Sequence, residues 1–300
     1  MSWQPRLLDR RPRAPARAPE RFLAMIGDKL AATEEVFRKH LASDVPFIQH
    51  TGDYLARSGG KRMRPALLLL AARLLGHDSD EEVTYAAVVE YIHTATLIHD
   101  DVIDHATLRR GQTTINELWG NSLTVLLGDW LYTNAMRMAL SHGNLEVVRE
   151  LCDATLKMVE AELLSLQRLG SIDLTVDEYF GIVERKTAHL FSAGCSVPCL
   201  IPAARPGLLA PETARRALQR YGRSLGTCFQ LVDDLLDFTS SEAELGKPVL
   251  SDLKEGKLTL PLILLLPRVS PSERRLVQHV LERPAFEPVS PGQVFDVGGR

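Results

Sequence analysis

Residues 90–111, EYIHTATLIHDDVIDHATLRRG, decide the reading of the whole chain. The stretch carries Asp100, Asp101 and Asp104, followed by Arg109 and Arg110. An α-helix turns about 100° per residue, so positions i and i+4 share a face. Asp100 and Asp104 therefore lie together, with Asp101 within reach of Asp104 at i+3. His93 lies two turns below Asp100 on the same stripe. Like charges this close repel and raise carboxylate pKa values unless something compensates them. Magnesium does so: it takes oxygen ligands, keeps several waters, and is held by one or two carboxylates plus phosphate oxygens. The alternative is a solvated acidic helix face. The apolar neighbours, IHTATLI before and VI within, do not suit one. A second triplet, Asp233, Asp234 and Asp237, stands in FQLVDDLLD at 229–237. Two such clusters on apolar helices, each beside basic residues, read as a device for handling diphosphates through magnesium.

Three hundred residues fit one large domain or two modest ones. Apolar residues make up 45% of the chain and supply a sizeable core; aromatics are only 6%. Leu, Ala, Glu and Arg dominate, and strictly alternating β-branched runs are scarce, so helix is favoured. The net charge of −3 provides no global basic field and argues against nucleic acid as a partner. Cys152, Cys195, Cys199 and Cys228 lack the spacing of a zinc site and read as reduced, mostly buried thiols. That suits a cytoplasmic protein. No stretch approaches about 20 uninterrupted apolar residues, so no membrane span is expected.

Along the chain, residues 1–20 hold five arginines and four prolines against Asp9 and Glu20, and read as a disordered basic tail. Helical periodicity runs from about Arg21 to Ala42, and a second helix ends at RSGGKRMRP. There Gly59 and Gly60 stop the helix, and Lys61, Arg62 and Arg64 cluster before Pro65 opens ALLLLAARLL. Glycine lets backbone approach a phosphate, and Lys and Arg supply charge and forked donors. Taken alone, GGKR also reads as an ordinary surface loop. The central helix spans about Glu81–His105. Gly128 and Asp129 suit a close helix contact and a polar partner for a cation. A long helix covers 145–169. In ERKTAHL (184–190), Lys186 and Thr187 interrupt an apolar face; a buried lysine needs an anion, whereas a snorkelling one does not. Gln230 precedes Asp233 by three residues. The polar loop SSEAELGKPVLSDLKEGK at 240–257, with Lys247 and Lys257 each after a glycine, reads as a flap over a site. Residues 284–300, with Pro284, Pro288 and Pro291, read as an irregular, shortened C-terminal segment after a main domain of residues 21–283.

The ordered set GGKRMRP, EYIHTATLIHDDVID, RRG, ERKTAHL, FQLVDDLLD and GKPVLSDLKEGKLTLP resembles the trans-isoprenyl (polyprenyl) diphosphate synthases, over residues 59–261. The resemblance implies the isoprenoid synthase fold, an all-α, single-domain antiparallel helical bundle around a central cavity, as a homodimer. It implies head-to-tail condensation of isopentenyl diphosphate with an allylic primer such as farnesyl or geranylgeranyl diphosphate, with about three magnesium ions per site. Carried over by motif, Asp100, Asp101, Asp104, Asp233 and Asp237 hold metal, and Asp234 acts behind them. Arg109, Lys186 and Lys247 contact the allylic diphosphate, with Lys257 nearby. Lys61, Arg64, His93 and Arg110 bind isopentenyl diphosphate. Thr187 and Gln230 offer oxygen to the cationic carbon. The segment EAELLS at 160–165 departs from the family's GQxxDL-like pattern, which puts support of Lys186 from that segment in doubt.

Three other readings fit less well. A class I terpene cyclase would carry an NSE-type second motif, not DDLLD, and would lack the GGKRMRP and RRG cations. A non-catalytic subunit of a heteromeric synthase tends to lose aspartates, and all six are present. A purely structural bundle would bury charge for no return. A basic tail and a greasy product together suggest peripheral contact with anionic lipid.

Within the resemblance, product length follows from geometry. One helical turn, about 5.4 Å, below the aspartates lie Ala95 and Thr96, both small, where farnesyl synthases carry aromatics. Ile92, Val88 and Val89 continue the stripe, and Tyr85, Leu126 or Leu127 set the final floor. The product is therefore expected to exceed farnesyl, in the octaprenyl class; a geranylgeranyl synthase is the alternative. Replacing Ala95→Phe should shorten the product read by mass spectrometry, and an unchanged length would sink the floor argument.

Overall fold

A computed structural model describes residues 17–57, 60–109, 111–202, 211–239, 250–282 and 294. The chain opens with helix α1 (Arg17–Ala24), which begins four residues before the expected start at Arg21. There follow α2 (Gly27–His40), α3 (Pro46–Arg57), α4 (Met63–Leu74) and the central α5 (Glu81–Ile103). A two-residue hairpin, β1 (Leu108–Arg109) antiparallel to β2 (Gln112–Thr113), leads to α6 (Ile115–Trp119), α7 (Asn121–Leu140) and α8 (Leu145–Gln167). Next come α9 (Val176–Val183), a π-helical turn (Glu184–Ala188), α10 (His189–Ser196) and a 3-10 turn (Val197–Leu200). The last described elements are α11 (Pro211–Thr239), α12 (Ser251–Lys254), α13 (Leu260–Leu265) with a 3-10 turn at Leu266–Arg268, and α14 (Pro271–Glu282). Among the described residues, no helix is long and apolar enough to cross a membrane.

Helix α5 is the axis of the packing. Every residue from Tyr85 to Ile92 is buried, as expected of a helix that is apolar all round. It packs chiefly on α7, then on α4 and α2. Tyr91 stacks on Phe37 with ring centroids 4.4 Å apart, and its hydroxyl donates to the Phe37 carbonyl at 2.8 Å. Beyond His93 burial becomes one-sided: Ala95, Ile98 and Asp101 stay buried, whereas Asp100 and Asp104 are half-buried. The C-terminal third of the helix therefore opens onto the site. Gly128 makes the close contact expected of it: a Cβ there would stand 2.3 Å from His99 Nε2, and His99 meets Asp129 at 3.4 Å.

Two hydrophobic cores divide the molecule. The larger surrounds α5 and includes Leu69, Leu127, Leu131, Leu151 and Leu190. The smaller gathers Tyr179 and Val183 of α9 with Leu250, Leu262, Val277 and Val294. Helix α9 belongs to one core and α10 to the other, so the π-turn between them falls at the seam. A π-turn inserts one residue into the helical ladder, and such turns concentrate at functional sites. Helix α9 starts with a capping box, Thr175 with Glu178, which fixes where the turn arrives.

Two glycines one turn apart bring α11 against α10 and the π-turn. A Cβ on Gly222 would sit 2.6 Å from the Phe191 carbonyl oxygen, and one on Gly226 would sit 2.6 Å from Ala188 Cα. Both obstacles are backbone, which cannot swing aside. Gly226→Ala should therefore cost about 1–3 kcal/mol as overpacking. Gly27→Ala, with nothing within 4 Å of the added Cβ, should be neutral or slightly stabilising. Thermal melts of the two variants check this; equal melting temperatures would remove the close approach as a constraint.

Candidate active site

The aspartates of α5 fan out toward different cations. Asp100 faces Lys186 at 3.6 Å, and Asp104 accepts from Lys257 Nζ at 2.8 Å. Asp101 turns the other way and accepts from Arg109 Nε at 2.5 Å. Asp100 and Asp104 do share a face, as their spacing predicts, but Asp101 does not close a triad with them. Among the described residues, no three acidic, histidine or cysteine side chains are grouped ready to hold a metal. The reason is electrostatic: a buried carboxylate takes the nearest cation. Burial pushes the Asp100 carboxyl up to about 6, with Lys186 and Lys257 pulling it down and Glu162 and Asp104 adding to the rise. Burial also raises Asp101, against the opposing pull of Arg109.

Lys186 has a partner that the sequence reading placed in doubt. Glu162, from the EAELLS segment of α8, accepts a hydrogen bond from its Nζ. Support for the lysine thus does come from that segment, through a glutamate near the C-terminal end of α8. Burial lowers the Lys186 pKa, but Asp100 and Glu162 outweigh it and the net shift is upward. Lys257 behaves alike: burial depresses it, while Glu255 and Asp104 carry it well above the usual lysine range. Both lysines are half-buried cations paired with acids rather than chains reaching free into solvent.

The residue after Lys186 points to the second motif. Thr187 Oγ1 donates to Gln230 Oε1 at 2.9 Å, and Gln230 Nε2 donates to Asp234 Oδ1 at 2.7 Å. Tyr179 of α9 donates its hydroxyl to the other oxygen of Asp234. Asp234 is 3% exposed, and burial raises its pKa while Tyr179 and Gln230 oppose the rise. It lies behind the surface, as the motif carry-over implied. Asp233 is exposed, and Asp237 is buried beneath the start of α12, where the N–H groups of Ser251 and Asp252 donate to it at 3.3 Å each. Consecutive residues of the π-turn thus join the two aspartate motifs, Lys186 to Asp100 and Thr187 through Gln230 to Asp234.

Beside α5, around Asp101, lies an open cleft. Arg62, Glu90, His93, Asp101 and Arg109 line it, together with Tyr54, whose hydroxyl donates to the Thr113 carbonyl of the hairpin at 2.5 Å. Of the cations expected for isopentenyl diphosphate, His93 is here, but Lys61 and Arg64 do not line the cleft. Lys61 is exposed on the loop, and the Arg64 guanidinium lies 4.6 Å over the Phe191 ring. Arg62 takes the position instead, clamped between Glu34 and Glu90, with Glu90 Oε1 at 2.7 Å, and 5.7 Å from the Phe37 ring centre. Its backbone is left-handed at φ 46°, and His105 and Leu250, which flank the site segments, have φ 50° and 56°. Such conformations cost roughly 1–3 kcal/mol each and gather where function demands them. Arg110 and Lys247 lie outside the described residues.

The chain-length positions sit in the large core. Ile92 and Ala95 are buried, and half-buried Thr96 donates to the His93 carbonyl at 2.8 Å. Leu126 is 63% exposed, whereas Leu127 and Tyr85 are buried.

The donor set suits a divalent cation. Asp100, Asp104, Asp233 and Asp237 offer only hard carboxylate oxygens.

Comparison with known proteins agrees with this geometry. Residues 45–290 match the family described as polyprenyl synthetase. The octaprenyl diphosphate synthase of Escherichia coli (strain K12) is 38% identical over 274 residues, which is 90% of this chain and 83% of that protein. A polyprenyl synthase from Caulobacter crescentus CB15, solved with calcium and isoprenyl diphosphate, superposes with a TM-score of 0.85 at 33% identity, over 93% of this chain and 82% of that one. A decaprenyl diphosphate synthase from Rhodobacter capsulatus gives 0.84 at 37% identity, over 93% and 84%. With two aspartate motifs joined through one π-turn inside an isoprenoid synthase helical fold, the chain belongs to the polyprenyl synthetase family and is a prenyltransferase.

Proposed function

We propose that the protein is a magnesium-dependent trans-polyprenyl diphosphate synthase of the long-chain class, condensing isopentenyl diphosphate with an allylic diphosphate. The observation that carries this reading is the junction of both motifs at Lys186 and Thr187. The octaprenyl and decaprenyl relatives support the long-chain assignment, as do small Ala95 and Thr96.

Asp100, Asp104, Asp233 and Asp237 would hold the metal, with Asp101 facing the cleft. Bound magnesium supplies Lewis-acid stabilisation of the charge that develops on the leaving diphosphate. Lys186, Lys257 and Arg109, joined by Lys247, would donate to the allylic diphosphate. Pre-placed cations of this kind stabilise charge without reorganising during the reaction. The allylic carbon–oxygen bond breaks, its electron pair leaving with the diphosphate. Thr187 and Gln230 present oxygen lone pairs to the cationic carbon. His93 and Arg62 in the cleft, together with Arg110, Lys61 and Arg64 as the motif resemblance implies, bind isopentenyl diphosphate, whose double bond supplies the electrons of the new carbon–carbon bond. A proton then leaves the adjacent carbon, and the departed diphosphate accepts it.

The working form is a homodimer. Leu156, Val159 and Leu163 make an i, i+3, i+7 stripe on α8, each more than half exposed, beside exposed Leu123 and Leu126 of α7. Apolar patches of this kind mark protein contacts. A second copy of the chain is the occupant that family membership favours. Cys152, Cys195, Cys199 and Cys228 are all free thiols, in keeping with a reducing cytoplasm.

Incubation with magnesium, isopentenyl diphosphate and farnesyl or geranylgeranyl diphosphate should yield a ladder of polyprenyl diphosphates by mass spectrometry, lost on adding EDTA. A ladder that stops after one addition would keep the enzyme class and move the floor closer to the aspartates. No elongation at all would overturn the reading.

A further inference from the structure

We infer that Tyr179 and Asp234 are positioning residues that fix the orientation of the Gln230 amide, so that Gln230 and Thr187 face the reacting carbon with oxygen lone pairs only. The inference deepens the prenyl-transfer reading above and rests on it.

An amide side chain has a donor end and an acceptor end, and only its partners decide which points where. Asp234, as a carboxylate, can only accept. Gln230 sits one turn before it on α11 and turns its Nε2 toward it at 2.7 Å. The amide oxygen is thereby left for Thr187, whose hydroxyl donates to it at 2.9 Å. That bond in turn consumes the only hydroxyl proton of Thr187. Each of the two oxygens keeps lone pairs and neither has a proton left to offer. A pair of oriented acceptors beside Lys186 and Asp100 favours positive charge on carbon and does nothing for a neutral substrate.

Tyr179 is what keeps Asp234 in this role. Its hydroxyl donates to the second carboxylate oxygen, both residues are under 5% exposed, and no solvent competes. Burial, with Asp234 next to it, drives the phenol pKa far up, so Tyr179 stays a donor. With one oxygen taken by Tyr179 and the other by Gln230, the carboxylate has both of its faces committed within the protein. The tyrosine ring is anchored in the smaller core, and it meets Phe180 edge-on at 5.4 Å. The sequence signal is slender: one tyrosine seven residues before Lys186, on a helix that otherwise reads as packing.

The test compares two ligands in calorimetric titrations with magnesium and inorganic diphosphate. One is an allylic analogue with an ammonium nitrogen at the reacting carbon, and the other is its neutral isostere. Tyr179→Phe keeps the packed ring and removes the donor. Asp234→Asn has a single acceptor oxygen and cannot serve both Tyr179 and Gln230, so it releases the amide by an independent route; thermal melts verify both folds. The wild type should prefer the ammonium analogue, and each variant should lose about tenfold of that preference, the equivalent of one charge-linked hydrogen bond. Binding of the neutral isostere and of magnesium diphosphate should stay unchanged. Equal weakening of both analogues would assign Tyr179 a merely structural role and overturn the inference. Weaker magnesium diphosphate binding in Asp234→Asn would make Asp234 a metal ligand and overturn it as well. A wild type with no ammonium preference would also overturn it. The product ladder of the wild type reports separately on the prenyl-transfer reading.

Discussion

Lys186, held between Asp100 and Glu162, is the contact on which the site depends. Three elements meet there: α5, α8 and the π-turn. Desolvation of this half-buried cation is outweighed by two carboxylates that are themselves half-buried. Removing any one of the three leaves an uncompensated charge. The arrangement is thus self-consistent but poised. A divalent cation on Asp100 would weaken the claim of that carboxylate on the lysine and turn the lysine toward an anion.

That poise needs a rigid frame, and small residues provide it. Gly222 and Gly226 let α11 approach α10 and the π-turn until backbone touches backbone. Only then does the Thr187 hydroxyl reach Gln230. The tightly packed middle of α5, buried from Tyr85 to Ile92, holds the other wall. Interiors this dense do not yield by small degrees, so the separation of the two motifs is set by packing and not by the charges that line them.

Much of this was legible in the residues. Two DDxxD triplets at helical spacing, glycine beside arginine, and lysine in an apolar stretch mark the site and the helical class. The pairing of Asp100 with Asp104 follows from 3.6 residues per turn. What spacing does not reveal is which cation each acid chooses. Asp101 turns to Arg109 because the β1–β2 hairpin places that arginine beside it, a turn that helical spacing does not reveal. Glu162 looked like a departure from a familiar pattern, yet a carboxylate there holds Lys186 as a buried acid can. Arg62 was one of three basic residues in a loop; its capture by Glu34 and Glu90 depends on α2 and α5 coming together. The π-turn had no signal, because one extra residue leaves the apolar pattern nearly intact.

The two aspartate motifs look alike in sequence and differ in how their charge is balanced. On α5 every partner is a cation at the end of a long side chain: Lys186, Lys257 and Arg109. On α11 the partners include neutral donors fixed to the frame: the Tyr179 hydroxyl, the Gln230 amide and the N–H groups of Ser251 and Asp252. Cationic side chains can exchange one anion for another when a charged ligand arrives. Neutral donors anchored in a core or a helix terminus gain nothing by moving. The α5 wall can therefore trade its internal ion pairs for those of a charged ligand. On α11, the hydrogen bonds of Asp234 instead fix the frame around Gln230. Six identical residue types thus divide their work according to what each was folded against.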